Sequence, residues 1–197
     1  MRRLLAVSAL LVLAACGQGG LQGAMKRPPE NPPSVQVKPT TPVPQANVTA
    51  EQRPQLESLV RSLLDQAQQT YAKEYRPGAG FNDEVAPLQP GTDHRAEVQL
   101  VSGTAYRIVG SCDAECHNID IELLDENGSV VASDMLPDDV PVVNYTPTQS
   151  GHFTVRLLMQ TCTLAPCFAG TRILTAPPGA ATTTTAPAET PPPDKPI

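Results

Sequence analysis

The stretch TDHRAEVQLVSGTAYRIVGSCDAECHNIDIELLDENGSVVAS, residues 92–133, decides the fold. Its apolar residues recur at every second position. Ala96, Val98 and Leu100 alternate with Arg95, Glu97 and Gln99, while Ile119, Ile121 and Leu123 alternate with Asp120, Glu122 and Leu124. A period of two puts alternate side chains on opposite faces of a strand. Tyr106 and Ile108 mark another strand between these two. Asn127-Gly128 is a strong short hairpin signal, because both central residues of a type I′ turn take positive φ, and Val130–Ser133 returns from it. Further along, Val142–Tyr145, the series Phe153, Val155, Leu157 and Met159, and Thr171–Leu174 add three more. Seven short strands separated by Gly, Pro and Asn turns predict a mainly β protein, a small antiparallel β-sandwich over residues 87–175.

Upstream the period changes to that of a helix. Leu56, Leu59, Val60, Leu63, Leu64, Ala67 and Tyr71 recur in steps of three and four within residues 50–78, giving one apolar stripe to dock on the sandwich. Thr49 and Gln52 have capping-box spacing, Pro54 falls in the first turn, and Pro77-Gly78 ends the segment. Outside these elements the chain is proline-rich. Of 22 prolines in 197 residues, seven lie between Pro28 and Pro44 and seven between Pro177 and Pro196. Such segments bury too little apolar area to offset chain entropy, so residues 16–49 read as a disordered linker and 176–197 as a disordered Thr/Pro-rich tail. The foldable remainder excludes a large multi-domain enzyme and a multi-span membrane protein.

Residues 1–15 read as a signal peptide: Arg2 and Arg3, then the apolar run Leu4–Leu13, too short to span a bilayer. Leu13-Ala14-Ala15-Cys16, followed by Gly17, resembles the lipobox of bacterial lipoproteins. The resemblance implies cleavage before Cys16, a diacylglyceryl thioether on its sulfur and acylation of the new amine, several chains being enough for stable anchoring. Gly rather than Asp at position 17 implies the outer membrane rather than the inner, and a periplasmic setting. Loss of Arg2 and Arg3 leaves 12 basic against 20 acidic residues, a net charge of −8. No nucleic-acid partner is expected from such a balance. The membrane contact is through lipid.

Within the sandwich, Leu100-x-x-Gly103-x-x-Tyr106-Arg107-Ile108-Val109-Gly110, Cys112-Asp113-x-x-Cys116, Ile119-Asp120-Ile121-x-Leu123-x-Asp125-x-x-Gly128 and Ser150-Gly151-x-Phe153-x-Val155 resemble the bacterial pre-peptidase C-terminal domain. That family is a jelly-roll-type β-sandwich, attached to secreted peptidases and also found without one. Nothing in this chain resembles the peptidase, so the resemblance carries no protease activity.

Cys16 aside, four cysteines remain: Cys112, Cys116, Cys162 and Cys167. In an exported chain an even number reads as disulfides with three connectivities open, and the C-x₃-C and C-x₄-C spacings favour local bridges 112–116 and 162–167. A thiol-disulfide redox factor using Cys112/Cys116 is the alternative, although Asp113 and Glu115 would raise a thiol pKa and the spacing is not C-x-x-C. A zinc site from the four cysteines and His117 is conceivable geometrically, but oxidation should win in the envelope, and haem attachment at Cys116-His117 would call for C-x-x-C-H where three residues separate the cysteines. Nine carboxylates lie between Asp113 and Asp139 without a single Lys or Arg. Asp120, Glu122 and Asp125 are the candidate ligands if Ca²⁺ binds, which would make the domain a Ca²⁺-dependent adhesion module. A solvated acidic face opposite the buried isoleucines is the plainer expectation, with no cofactor.

The catalytic inventory is sparse. His94, His117 and His152 are scattered, and Ser150-Gly151-His152 lacks the strand–Ser–helix elbow and reads as a turn. Tyr75, Phe81, Tyr106, Tyr145 and Phe168 are the candidate aromatics for stacking on sugars, with most expected in the core. The sequence therefore points away from an enzyme and toward a lipid-anchored cell-envelope protein. Its sandwich would be a non-catalytic binding or scaffolding module for an envelope protein or glycan.

Overall fold

The structure, a computed structural model, describes residues 42–177. Cys16, the signal segment 1–15, most of the 16–49 linker and all but the first two residues of the 176–197 tail lie outside the described residues. Two antiparallel sheets face each other, with one helix on the outside. The chain runs through α1 (Arg53–Tyr71), β1 (Arg76–Pro77), β2 (Glu84–Leu88), β3 (Asp93–Leu100), β4 (Tyr106–Cys112) and β5 (Cys116–Leu124). It continues with β6 (Val130–Asp134), β7 (Val142–Tyr145), β8 (Gly151–Cys162) and β9 (Cys167–Thr175). One sheet has the order β3-β8-β5-β6; the other is β1-β9-β4-β7, with β2 also pairing with β9. Among β2–β9 only β5 and β6 are joined as a hairpin within a sheet. Every other connection crosses between sheets, the jelly-roll arrangement of eight strands.

The seven expected strands are present, and the structure adds β1 and β2. Both lie on the outer edge of their sheet against β9. Pro87 sits within β2, where an edge position tolerates a missing N–H. The helix contains the whole stripe and ends at Tyr71, ahead of Pro77-Gly78; the Arg107 guanidinium caps the Tyr71 carbonyl and the chain then turns into β1. The linker also ends before residue 49: Ala165 N–H donates to Pro44 O at 2.9 Å and Ala46 N–H to Ala165 O at 2.7 Å. Thr49 and Gln52 do reciprocate. The Gln52 side chain accepts from Thr49 N–H at 2.9 Å, one turn ahead of the α-helix proper.

The turn after β5 differs from expectation. Gly128 has φ +77°, but Asn127 does not have positive φ, so the loop is not type I′. The Asp125 carboxylate accepts from Asn127 N–H at 2.9 Å and Ser129 N–H at 2.8 Å. Gly128 N–H donates to Asp125 O. These bonds hold a longer loop, with the left-handed position at Gly128 alone.

Leu100, Ile108, Ile119, Ile121, Leu123 and Leu157 are among the side chains buried between the sheets. On the far side of the five-stranded sheet, Val60, Leu64 and Ala67 of α1 pack against Val109, Phe168 and Leu174. Arg172 fixes the helix from β9, donating to Asp65 at 2.6 Å, Gln68 at 3.1 Å and Asp83 at 2.7 Å. Gly170 of β9 lies close beneath the helix and against β2. A Cβ there would lie 2.7 Å from Glu84 O and 3.0 Å from Val60 Cγ1. A backbone carbonyl cannot yield without shifting β2, so Gly170→Ala is expected to cost about 1–3 kcal/mol. Its urea midpoint should fall with an unchanged m-value; a midpoint equal to that of the wild type would contradict this packing.

Candidate functional site

The two short cysteine spacings become two crossovers at one end of the sandwich. Residues 113–115 link β4 to β5 and are closed by a Cys112–Cys116 bridge, and residues 163–166 link β8 to β9 inside a Cys162–Cys167 bridge. Cys116 lies opposite Cys162 in the β5–β8 register, so the two bridges are neighbours. The loops are also sewn to each other. Thr163 donates to Glu115 O through both N–H, at 2.8 Å, and Oγ1, at 3.0 Å. Asp113 N–H donates to Phe168 O at 2.9 Å, and Phe168 N–H returns to Asp113 Oδ2 at 2.6 Å.

Between these loops, residues 46–48 and the start of α1 lies a cleft of about 400 Å³. Leu56, Leu59, Val48, Leu164 and Pro166 form its apolar wall, Asn47, Gln52 and Gln55 its amides, and Asp113 and Glu115 its acids. Leu59 and Leu164 are 44% and 38% exposed, two of the few large apolar side chains left open to water. Leu59 stands beside the helix's docked stripe, not within it, as the exposed neighbour of buried Val60. Asp113 is only 5% exposed, and its Oδ1 has no hydrogen-bond partner. Burial pushes the Asp113 carboxyl up to about 6, the neighbouring Glu115 adding to this and the Phe168 N–H opposing it.

Asp120 is raised to about 6 as well, again chiefly by burial, against the Gln160 hydrogen bond. A carboxyl whose folded pKa lies above its unfolded value near 4 contributes stability below about pH 4 that is lost as pH rises through about 6. These two groups therefore raise the Tm as pH is lowered from 7.5 to 5. Calorimetry at half-unit steps checks this, with Asp113→Asn flattening the slope; a Tm that falls steadily over the window would contradict it.

The acidic strand face is not solvated. Asp120 and Glu122 are 1% and 0% exposed, and the same face of β8 presents Arg156 and Gln160 to them. Arg156 Nε donates to Glu122 Oε2 at 2.7 Å, and the Gln160 amide donates to Asp120 Oδ2. Asp125 is engaged in the hairpin loop. Among the described residues no three His, Cys, Asp or Glu side chains gather to hold a metal ion. His94 lies on β3 with its Nε2 3.5 Å from Glu84, while His117 and His152 sit near the starts of β5 and β8. Ser150 Oγ accepts from Ser102 N–H at 2.8 Å, tying two loops together. The aromatics are taken up in packing: Phe168 and Tyr106 are buried, Phe81 meets Tyr106 edge-on, Tyr145 meets Phe153, and Tyr75 stacks on Arg107.

The cleft itself was not legible beforehand. Asp113 stood among nine carboxylates and beside a cysteine pair, and of the three residues between β4 and β5 it alone is buried, held by its hydrogen bonds with Phe168. Leu164-Ala165-Pro166, apolar within a loop, was the other signal available. No protein-family model matches the chain, and no curated protein is similar to it. Among the described residues no helix is long and apolar enough to cross a membrane.

Proposed function

We propose that the chain is a lipid-anchored cell-envelope protein whose jelly-roll sandwich, of pre-peptidase C-terminal type, is a non-catalytic binding module. The Leu13-Ala14-Ala15-Cys16 motif supports the anchor, with the outer membrane as its destination. The cleft is the observation that carries the binding role: exposed Leu59 and Leu164 flank a buried carboxylate at one end of a doubly stapled scaffold. A rigid frame with a few polar groups converging on an apolar wall is the usual construction of a ligand site. The four bridging cysteines are at most 5% exposed, which weighs against a redox factor, since exchange requires an attacking thiolate to reach a sulfur.

Two measurements test this reading. Cells fed radiolabelled palmitate should label the protein, and Cys16→Ser should abolish the label; labelling that survives the substitution removes the anchor. Cross-linking from a photoreactive residue at position 59 should capture an envelope component that the same probe at the exposed position 101, away from the cleft, does not. Identical capture from both positions would remove the cleft as the binding surface.

A further inference from the structure

We propose that the cleft binds an alkyl cation, a primary ammonium or guanidinium on a short apolar stem, with Asp113 as its counter-ion. The assignment rests on reading the cleft as the binding site and names the chemistry of what enters it.

Three observations converge. The first is the unpartnered Asp113 Oδ1, on a side chain 95% buried that lines the cavity. A buried acceptor without a donor is disfavoured, and a charged one more so. A ligand N–H supplies what is missing. The second is charge: Asp113 and Glu115 line the cleft and none of the described residues lining it is basic. Neither α1, residues 46–48 nor the 164–166 turn places a charged side chain there, so Glu115 is the one titratable neighbour in the lining. An anionic ligand is repelled, and a neutral one leaves the carboxylate uncompensated. The third is the wall of Leu56, Leu59 and Leu164, which a butyl or propyl stem would cover. About 400 Å³ is room for one such group, near the lower end of small-ligand sites.

A lysine side chain of a polypeptide and a free alkylamine share this chemistry. Three probes separate them: N-acetyl-lysine N-methylamide, 1,5-diaminopentane, and N-acetyl-norleucine N-methylamide as the uncharged shape. Each is titrated into the ¹⁵N-labelled full chain at pH 7 and pH 5. Both cations are expected to shift the Asp113, Glu115 and Phe168 amides. Their affinity should fall roughly tenfold at pH 5, since a carboxyl near 6 goes from about ten-elevenths to one-eleventh ionised. A tighter lysine probe identifies a polypeptide side chain, and an equal or tighter diamine a free amine. Asp113→Asn keeps an acceptor for Phe168 N–H, so it should fold, weaken the cations at least tenfold and remove the pH dependence. If that variant does not fold, the wild-type comparison of lysine with norleucine still decides. Norleucine binding as well as lysine overturns the counter-ion role while leaving the cleft a binding site. No amide in the cleft responding to any probe overturns both.

Discussion

Replacing Arg156 with Leu is expected to destabilise the chain by about 3–5 kcal/mol, read as a lower urea midpoint and a Tm lower by at least 6 °C. Arg156 and Glu122 are both fully buried, face each other across β8 and β5, and are joined through Nε and Nη2. Removing the cation takes the Arg156 guanidinium away from a carboxylate held out of water, and the weakened compensation of that buried charge accounts for most of the loss. Arg156→Leu combined with Glu122→Leu should recover a large part of it, since an apolar pair needs no compensation. A single substitution costing under 1 kcal/mol would mean that this face is wet in solution.

The second large effect is that of the bridges. Each closes a loop of only four or five residues, for which loop-closure entropy gives on the order of 2 kcal/mol. Replacing either pair with Ala should therefore cost about 2 kcal/mol in thermal or urea unfolding, and two independent bridges would together cost about 4 kcal/mol. The two losses should not simply add, because Cys116 and Cys162 are cross-strand neighbours and the loops share the Thr163–Glu115 bonds. A double-mutant cycle on the two bridges measures that coupling. Strict additivity would show that the two loops fold independently, contrary to the hydrogen bonding between them.

The strands with strict alternation were legible because one face of each meets the core, which forces period two on the sequence. β2 was not, because Glu84-Val85-Ala86-Pro87-Leu88 owes its place to an edge against β9, and an edge strand tolerates a residue that a central strand rejects. The helix was legible by its stripe, but its end was set by Arg107, 36 residues away in sequence, which no local pattern reports. The acidic face misled for the same reason. Alternation identifies which residues share a side of β5, and only the register with β8 reveals that Arg156 arrives opposite Glu122. Beside the cleft the cysteines were legible and the carboxylate between them was not, since its place is set by hydrogen bonds with Phe168, 55 residues away in sequence.

The points where the chain enters and leaves the sandwich lie at opposite ends. Pro44 and Ala46 are fastened to Ala165 beside the stapled crossovers, whereas β9 carries the chain the full length of its sheet to Thr175, where Ala176 N–H meets Ala105 O. A tension applied between the two proline-rich arms would thus run lengthwise through the domain. It would arrive first at two backbone hydrogen bonds on a loop that a covalent bridge prevents from lengthening. The cleft lies at the end where residues 44–46 are fastened, and the chain leaves from the other.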